Sequence, residues 1–214
     1  MHDHIQVVVM SYGQPMTRQL QEWLRDNKLN WRYGPSGYGI DLARNQIVNQ
    51  FLREDVSRGK THLLGIDDDM IPIRETRHIL RGNEEFAYCG YCGRHGSRGH
   101  IGDGDFGAAC FRVSAHLLRH LIKPYWKTTS VNDARIECEC EYFRKRAEAK
   151  GFTAKMVGII GHRQNCVLVP SKDAPGYVVV WDEELEAKHG QQLPTISAAA
   201  TRPEFAGQGN PVAV

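Results

Sequence analysis

Short apolar runs and amphipathic stretches alternate along the first half of the chain. The runs at residues 5–10 and 62–66 are typical of buried strands. Between them, apolar side chains at positions 40, 43, 47, 48, 51 and 52 repeat with a 3.6-residue period, which predicts an amphipathic helix over residues 41–53. This alternation of strands and helices favours an α/β sandwich around a largely parallel sheet.

Weaker patterns complete the predicted order of elements. Helices are predicted over residues 16–28, 75–81, 137–150 and from the capping residue Ser114 to residue 122; strands are predicted over residues 86–92, 106–113, 153–160, 166–170 and 177–181. From about Gly190 the chain turns to Gln, Ala, Pro and Gly. We therefore predict one domain over residues 1–189 and a poorly ordered tail over residues 190–214.

Composition places the chain among ordinary globular proteins. Of its 214 residues, 41% are apolar and 24% are charged, and the net charge is +2. So small a charge gives no general attraction to nucleic acids or membranes, and no nucleic-acid partner is expected. No apolar run reaches the roughly 18–20 residues of a membrane span, and the first apolar run is too short for a signal peptide. A cytoplasmic location is therefore expected.

Three consecutive aspartates, Asp67, Asp68 and Asp69, follow the predicted strand at residues 62–66. In open α/β sheets, ligands collect beyond the carboxyl ends of the strands. If strand geometry continues, Asp67 and Asp69 project to the same side, where two carboxylates repel each other unless a cation lies between them. Oxygen ligands of this kind suit Mg²⁺ or Mn²⁺ with a diphosphate. The alternative is a solvated acidic turn.

Residues 61–70, Thr-His-Leu-Leu-Gly-Ile-Asp-Asp-Asp-Met, follow the amphipathic helix that carries Ala43-Arg44-Asn45. This order resembles the GT-A fold glycosyltransferases, in particular family 2-like members of bacteria and phages. The resemblance implies a GT-A α/β/α sandwich in which an Asp-x-Asp motif binds a divalent metal, usually Mn²⁺, that holds the diphosphate of a nucleotide sugar. Asp67 and Asp69 would fill that role, with Asp68 beside the ribose or sugar.

The same resemblance places Arg44 and Asn45 near the nucleotide. Arg44 could instead be a surface residue of the helix. Downstream, residues 105–113 look like the glycine-rich strand that lines the sugar and acceptor pocket in this family. Close packing of a strand on a helix is the alternative for this segment.

Residues 139–147, Glu-Cys-Glu-Tyr-Phe-Arg-Lys-Arg-Ala, resemble the family's Glu-Asp-x-x-Phe-x-x-Arg-Ala helix, whose acidic residue is usually the catalytic base of inverting members. The chain departs from that pattern at Cys140, where Asp is common, so that Glu139 is the aligned candidate and Glu141 its rival. Glu139 shares a helix face with Phe143 and Ala147 and is expected to point inward. It could instead only complement the helix dipole.

Gly161-His162 follows an apolar strand, as does the late histidine that completes the metal site in many relatives. The resemblance spans residues 5–165 and implies an enzyme that moves a sugar from a nucleotide-diphosphate donor to a glycan, lipid or protein acceptor. Two alternatives stay open. One is a metal-dependent phosphoryl-transfer or nuclease domain, which needs a second metal about 4 Å away. The other is a GT-A-like domain that binds its sugar ligand without turnover.

Two further groups of residues carry candidate chemistry. Cys89, Cys92, Cys138 and Cys140 could supply four thiolates to zinc, although Cys138 and Cys140 on one helix would diverge by about 200°. Small buried cysteines near element ends are the alternative. A cationic loop could close over a diphosphate or be solvated; it contains Arg94, His95, Arg98 and His100.

Overall fold

The computed structural model describes residues 2–11, 15–36, 38–91, 106–131, 134–163, 166–170 and 177–181. Four α-helices lie in these ranges: α1 (Arg18–Asp26), α2 (Ile40–Gln50), α3 (Ala115–His120) and α4 (Glu139–Glu148). A π-helical turn (Phe51–Asp55) and a 3-10 turn (Val56–Arg58) extend α2, and a second 3-10 segment covers Arg74–Leu80. The predicted tail at residues 190–214 lies outside the described residues.

Six strands form the central sheet in the spatial order β2-β1-β3-β6-β5-β9. Their bounds are β1 (Ile5–Met10), β2 (Trp31–Tyr33), β3 (His62–Asp67), β5 (Phe86–Gly90), β6 (Cys110–Ser114) and β9 (Lys155–Ile159). Only β6 among these strands runs against the others. Three smaller antiparallel pairs are β4 (Met70–Ile71) with β10 (Gly161–His162), β7 (Thr129–Val131) with β8 (Ala134–Glu137), and β11 (Cys166–Pro170) with β12 (Tyr177–Trp181).

Helices cover both faces of the sheet, so that alternate side chains of β1 enter two separate cores. Val7 and Val9 pack with Leu20 and Leu24 of α1 on one face. On the other face, Val8 packs in the core formed by α2, α3 and α4. The predicted α/β class, with a mainly parallel sheet between helices, is therefore confirmed, and it is consistent with a GT-A-like fold.

Most predicted elements are present, with changed ends. The predicted strand at residues 106–113 begins only at Cys110, and the predicted helix from residue 137 begins at Glu139 because Glu137 lies in β8. Ser114 caps α3 as predicted, since its hydroxyl accepts a hydrogen bond from the Leu117 amide at 2.9 Å. No helix in the described part of the chain is long and apolar enough to cross a membrane.

Candidate functional site

The acidic cluster lies where β3 ends. Asp67 is the last residue of β3, and Asp68 and Asp69 form the turn that leads into β4. Backbone hydrogen bonds hold this turn to β1 and to the start of α1: the Asp68 amide donates to the Met10 carbonyl, and the Asp68 carbonyl accepts from the Thr17 amide, both at 2.9 Å. The turn is thus fixed by the fold, and it is buried, with Asp68 1% and Asp69 8% exposed. A solvated acidic turn does not describe it.

Burial dominates the electrostatics of Asp67. Desolvation raises its pKa from 3.8 to about 8; Arg44 partly opposes this, whereas Asp69, Asp68 and Glu139 add to it. One carboxylate oxygen, Oδ1, is buried and accepts no hydrogen bond, although an Arg44 nitrogen lies 3.8 Å away. A cation close to Asp67 would therefore favour the charged form of its carboxyl group.

Arg44 joins this cluster to α4. Its guanidinium lies 2.7 Å from Glu139 Oε1 and donates to the carbonyl of Ala108 at 3.2 Å. It also lies over the Trp126 ring, 5.1 Å from the centroid. Arg44 is only 3% exposed, so the alternative of a surface helix residue is wrong. Glu139 is 4% exposed, which confirms the inward direction that its spacing predicts.

Asn45 contacts a loop of the protein itself. Its amide nitrogen donates to the Trp126 carbonyl and the Asp41 carbonyl, both at 2.7 Å. Its amide oxygen accepts from the Tyr125 amide at 2.8 Å and the Trp126 amide at 3.2 Å. These four bonds use both donors and both acceptor positions of the amide. In this structure Asn45 places Trp126 against Arg44, and its predicted contact with a nucleotide stays a prediction.

A second pair completes the site on the far side of the turn. His162 Nε2 lies 3.1 Å from Asp69 Oδ2, because β10 pairs with β4 and sets His162 opposite Met70. The strand geometry assumed for Asp67 and Asp69 does not continue: β3 ends at Asp67, which faces Arg44, whereas Asp69 faces His162. The fold therefore brings Asp69 and His162 together as the family resemblance implies.

Tyr91 belongs to the same site and was not predicted. Its ring lies 6.1 Å from that of His162, centroid to centroid. Burial raises the pKa of its phenol well above the usual value, and Cys140 and Asp67 also contribute. The sequence placed Tyr91 within a predicted strand over residues 86–92, whereas β5 ends at Gly90, so that Tyr91 lies at the end of a strand, where ligands collect.

Glu141 lies on a different face of α4 from Glu139. Its carboxylate is bound by Arg144 at 2.9 Å and lies 3.4 Å from Lys145. Desolvation raises the pKa of Glu141, but these two basic residues together outweigh it, so the pKa lies below its usual value. More than a third of the Glu141 side chain is exposed. Of the two rival glutamates, the structure places only Glu139 beside Arg44 and Asp67.

The cysteines form two neighbouring pairs. Cys89 of β5 and Cys110 of β6 lie next to each other, and their thiols are hydrogen-bonded. Cys138 is the residue before α4, so its thiol does not diverge from that of Cys140 as predicted; the two are hydrogen-bonded, which raises the pKa of Cys140. Cys92 and the cationic loop with Arg94, His95, Arg98 and His100 lie outside the described residues.

The site contains donor atoms of the types that a hard divalent cation binds. Asp67 and Asp69 offer carboxylate oxygens, Asp67 Oδ1 accepts no hydrogen bond, and His162 lies beside Asp69. Within the described ranges, no group of three or more His, Cys, Asp or Glu side chains is arranged to hold a metal ion. A cation here would therefore need oxygens from a ligand or water in addition to those of the protein.

Comparisons with known proteins bear on the fold. No protein-family model matches the chain, and no curated protein matches it in sequence. Among solved structures, A197 from STIV is similar with a TM-score of 0.54 and 13% identity, over 81% of this chain and 93% of that chain. A glycosyltransferase involved in the glycosylation of the major capsid of PBCV-1 has a TM-score of 0.44 and 10% identity, over 74% of this chain and 93% of that chain. The first shares the fold; the second is too remote to bear on fold or activity.

Proposed function

We propose that this chain is a metal-dependent glycosyltransferase that moves a sugar from a nucleotide-diphosphate donor to an acceptor hydroxyl, with inversion at the anomeric carbon. One observation carries the proposal. Arg44, Asp67 and Glu139, which are far apart in sequence, meet in a buried cluster at the carboxyl end of a central strand. The ordered motifs of the family resemblance include these same three residues.

Asp67 and Asp69, with His162 beside Asp69, are the proposed holders of Mn²⁺ or Mg²⁺. When bound, such a cation would neutralise the negative charge of the diphosphate leaving group. Asp68, in the same turn, is proposed to lie beside the ribose or sugar. Arg44 and Asn45 are proposed to shape the nucleotide side of the site, Arg44 through Asp67 and Asn45 through Trp126.

Glu139 is the proposed general base. Its carboxylate would take the proton of the acceptor hydroxyl while that oxygen attacks the anomeric carbon, and the bond to the diphosphate oxygen would break on the opposite face. The Arg44 nitrogen at 2.7 Å from Glu139 Oε1 holds the carboxylate in one place. The acceptor would be a hydroxyl of a glycan, a lipid or a protein.

Binding of nucleoside diphosphates tests the donor site. UDP, GDP and ADP are each added with and without Mn²⁺, and the midpoint of thermal unfolding is recorded, because a ligand of the native state raises it. We expect one nucleotide to raise the midpoint only with Mn²⁺. Asp69→Asn should remove the effect, whereas Asp26→Asn, a change at an exposed carboxylate on α1, should keep it.

Two other outcomes would favour the alternatives. A shift that depends on the nucleotide, combined with no turnover of any nucleotide sugar, would favour a binding protein without catalysis. Stabilisation by Mn²⁺ and a nucleic acid, with none by a nucleoside diphosphate, would favour phosphoryl transfer and contradict the proposal.

A further inference from the structure

Two histidines lie one helical turn apart on α3. His116 and His120 have ring centroids 4.5 Å apart, with an angle of 67° between the ring planes. Both residues are exposed, and the side chain of His116 is 62% accessible. α3 follows its capping residue Ser114, which is paired with His62 at the start of β3, so the two histidines lie at the end of β3 opposite Asp67. The pair is thus separate from the candidate donor site.

Oxygen atoms beside the two Nδ1 atoms favour one form of each imidazole. His120 Nδ1 lies 2.9 Å from the His116 carbonyl oxygen, and His116 Nδ1 lies 3.3 Å from Glu85 Oε1. A carbonyl oxygen can only accept a hydrogen bond, so the neutral His120 ring carries its proton on Nδ1 and keeps a lone pair on Nε2. The carboxylate beside His116 Nδ1 favours the same form of that ring. In metal-bound histidines, one ring nitrogen binds the metal and the other usually donates its proton to a carboxylate or a carbonyl.

Neighbouring groups hold the rings in place. The Phe152 ring lies 5.6 Å from that of His116 and 5.7 Å from that of His120. The Ser114 hydroxyl, which also caps α3, donates to Glu85 Oε2 and so fixes the carboxylate that faces His116. Both imidazoles are therefore oriented before any ligand arrives, which reduces the entropy lost on binding.

We propose that His116 and His120 form a two-histidine site for a divalent transition metal ion of the Zn²⁺, Ni²⁺ or Cu²⁺ class. Glu85 acts as the outer partner of His116, and water completes the coordination. Two imidazoles bound at about 2 Å to one zinc have centroids roughly 5 Å apart, which is close to the observed separation. Imidazole nitrogen suits these ions, whereas Mg²⁺ and Mn²⁺ prefer oxygen. The site does not depend on the proposed transferase activity.

A second histidine pair nearby supplies the control. His4 and His62 have ring centroids 5.7 Å apart. His62 is half-buried, and its Nδ1 lies 2.9 Å from the Thr61 hydroxyl. If the ion were held by this second pair or by the amino-terminal histidines, substitution of His4 would weaken binding, whereas the proposed site predicts no effect.

Calorimetric titration of the full chain with Zn²⁺, in the presence of excess Mg²⁺ and a reductant that does not bind metal, tests the proposal. We expect one saturable site in the wild type. His116→Ala and His120→Ala should each weaken it by more than about 100-fold, since a chelate becomes a single imidazole. Glu85→Gln should weaken it by roughly 10-fold, as is usual for an outer partner. His4→Ala and Asp69→Asn should bind like the wild type.

Circular dichroism establishes that each variant is folded, and the exposure of both side chains makes loss of the fold unexpected. Zn²⁺ binding that is unchanged in His116→Ala and His120→Ala would overturn the proposal, and so would the absence of a saturable site in the wild type. Neither result would affect the proposed donor site, because that site is assayed with Mn²⁺ and through Asp69.

Discussion

At the scale of single residues, Arg44 connects the two acidic groups on which the proposed chemistry depends. Its guanidinium lies 2.7 Å from Glu139 and 3.8 Å from Asp67, and all three side chains are largely buried. Removing one partner of a buried ion pair leaves an uncompensated charge and costs roughly 3–5 kcal/mol. Tests of these residues therefore need substitutions that keep the shape and the hydrogen bonds of the side chain.

Glu139→Gln keeps an oxygen that can accept the hydrogen bond from Arg44, but the glutamine side chain cannot act as a general base. We expect it to lower the rate of sugar transfer by roughly 100- to 10,000-fold, which is the usual contribution of such a group. The matched control is Glu141→Gln on the exposed side of α4, which should leave the rate near that of the wild type. Equal losses in both variants would show that Glu139 is not the base.

Asp67→Asn tests the electrostatics of the cluster without metal. The pKa of Asp67 is about 8 in the folded protein and 3.8 as its ordinary value. Between these pH values the folded state binds the extra proton, so the free energy of unfolding should fall as pH rises from about 4 to about 8. Asp67→Asn should remove this slope and, at pH 8 with chelator present, be more stable than the wild type by roughly 1–3 kcal/mol. Denaturant unfolding measures this, and a slope unchanged by the substitution would contradict it.

At the scale of elements, the amide of Asn45 connects α2 to the segment between α3 and β7. Its four hydrogen bonds fix the backbone of Tyr125 and Trp126, and Trp126 stacks on Phe143 of α4 with ring centroids 4.2 Å apart. The position of Arg44 under the Trp126 ring thus depends on a contact between three separate parts of the chain.

Asn45→Ala leaves two backbone amides and one carbonyl of this segment without their partner. We expect a loss of about 2 kcal/mol in the free energy of unfolding, measured in denaturant. Asn49→Ala, one turn later on α2, should change it by less than about 0.5 kcal/mol, because its side chain makes no hydrogen bond to a distant segment within the described part of the chain. A similar loss in both variants would assign the effect to the helix rather than to the segment that Asn45 holds.

At the same scale, particular elements show what the sequence could predict. Periodicity was sufficient for β1, β3 and α2, because burial on one or both faces sets their patterns. β2 was missed: it has three residues at the sheet edge, and both Trp31 and Tyr33 are exposed, so it has no apolar pattern. The small pair of β4 and β10 was missed for a different reason: its residues are buried, but two residues per strand carry no periodicity.

The sequence could predict features of the site that depend on one helix, but not those that depend on packing between distant elements. The inward direction of Glu139 follows from its spacing to Phe143 and Ala147, which is a property of one helix. Its pairing with Arg44, 95 residues away, depends on how α2 and α4 pack on one face of the sheet, which no local pattern contains. The exclusion of Glu141 from the site is likewise a result of packing.

At the scale of the whole molecule, the described residues form a mainly parallel sheet between two helical layers, with the acidic cluster at the carboxyl end of β3. Fold alone does not determine activity, because one fold supports many chemistries. The activity must therefore be tested at the site, where Asp67 and Asp69 are proposed to hold the metal and the diphosphate of the donor, with Asp68 beside the ribose or sugar.

Release of nucleoside diphosphate from a panel of UDP-, GDP- and ADP-sugars, with Mn²⁺ present, tests that claim most directly. We predict release from at least one donor by the wild type, loss of that release with chelator or in Asp69→Asn, and its retention in Cys89→Ser, a change at a thiol paired with Cys110. No release from any donor by the folded wild type, or release that Asp69→Asn leaves unchanged, would contradict the account.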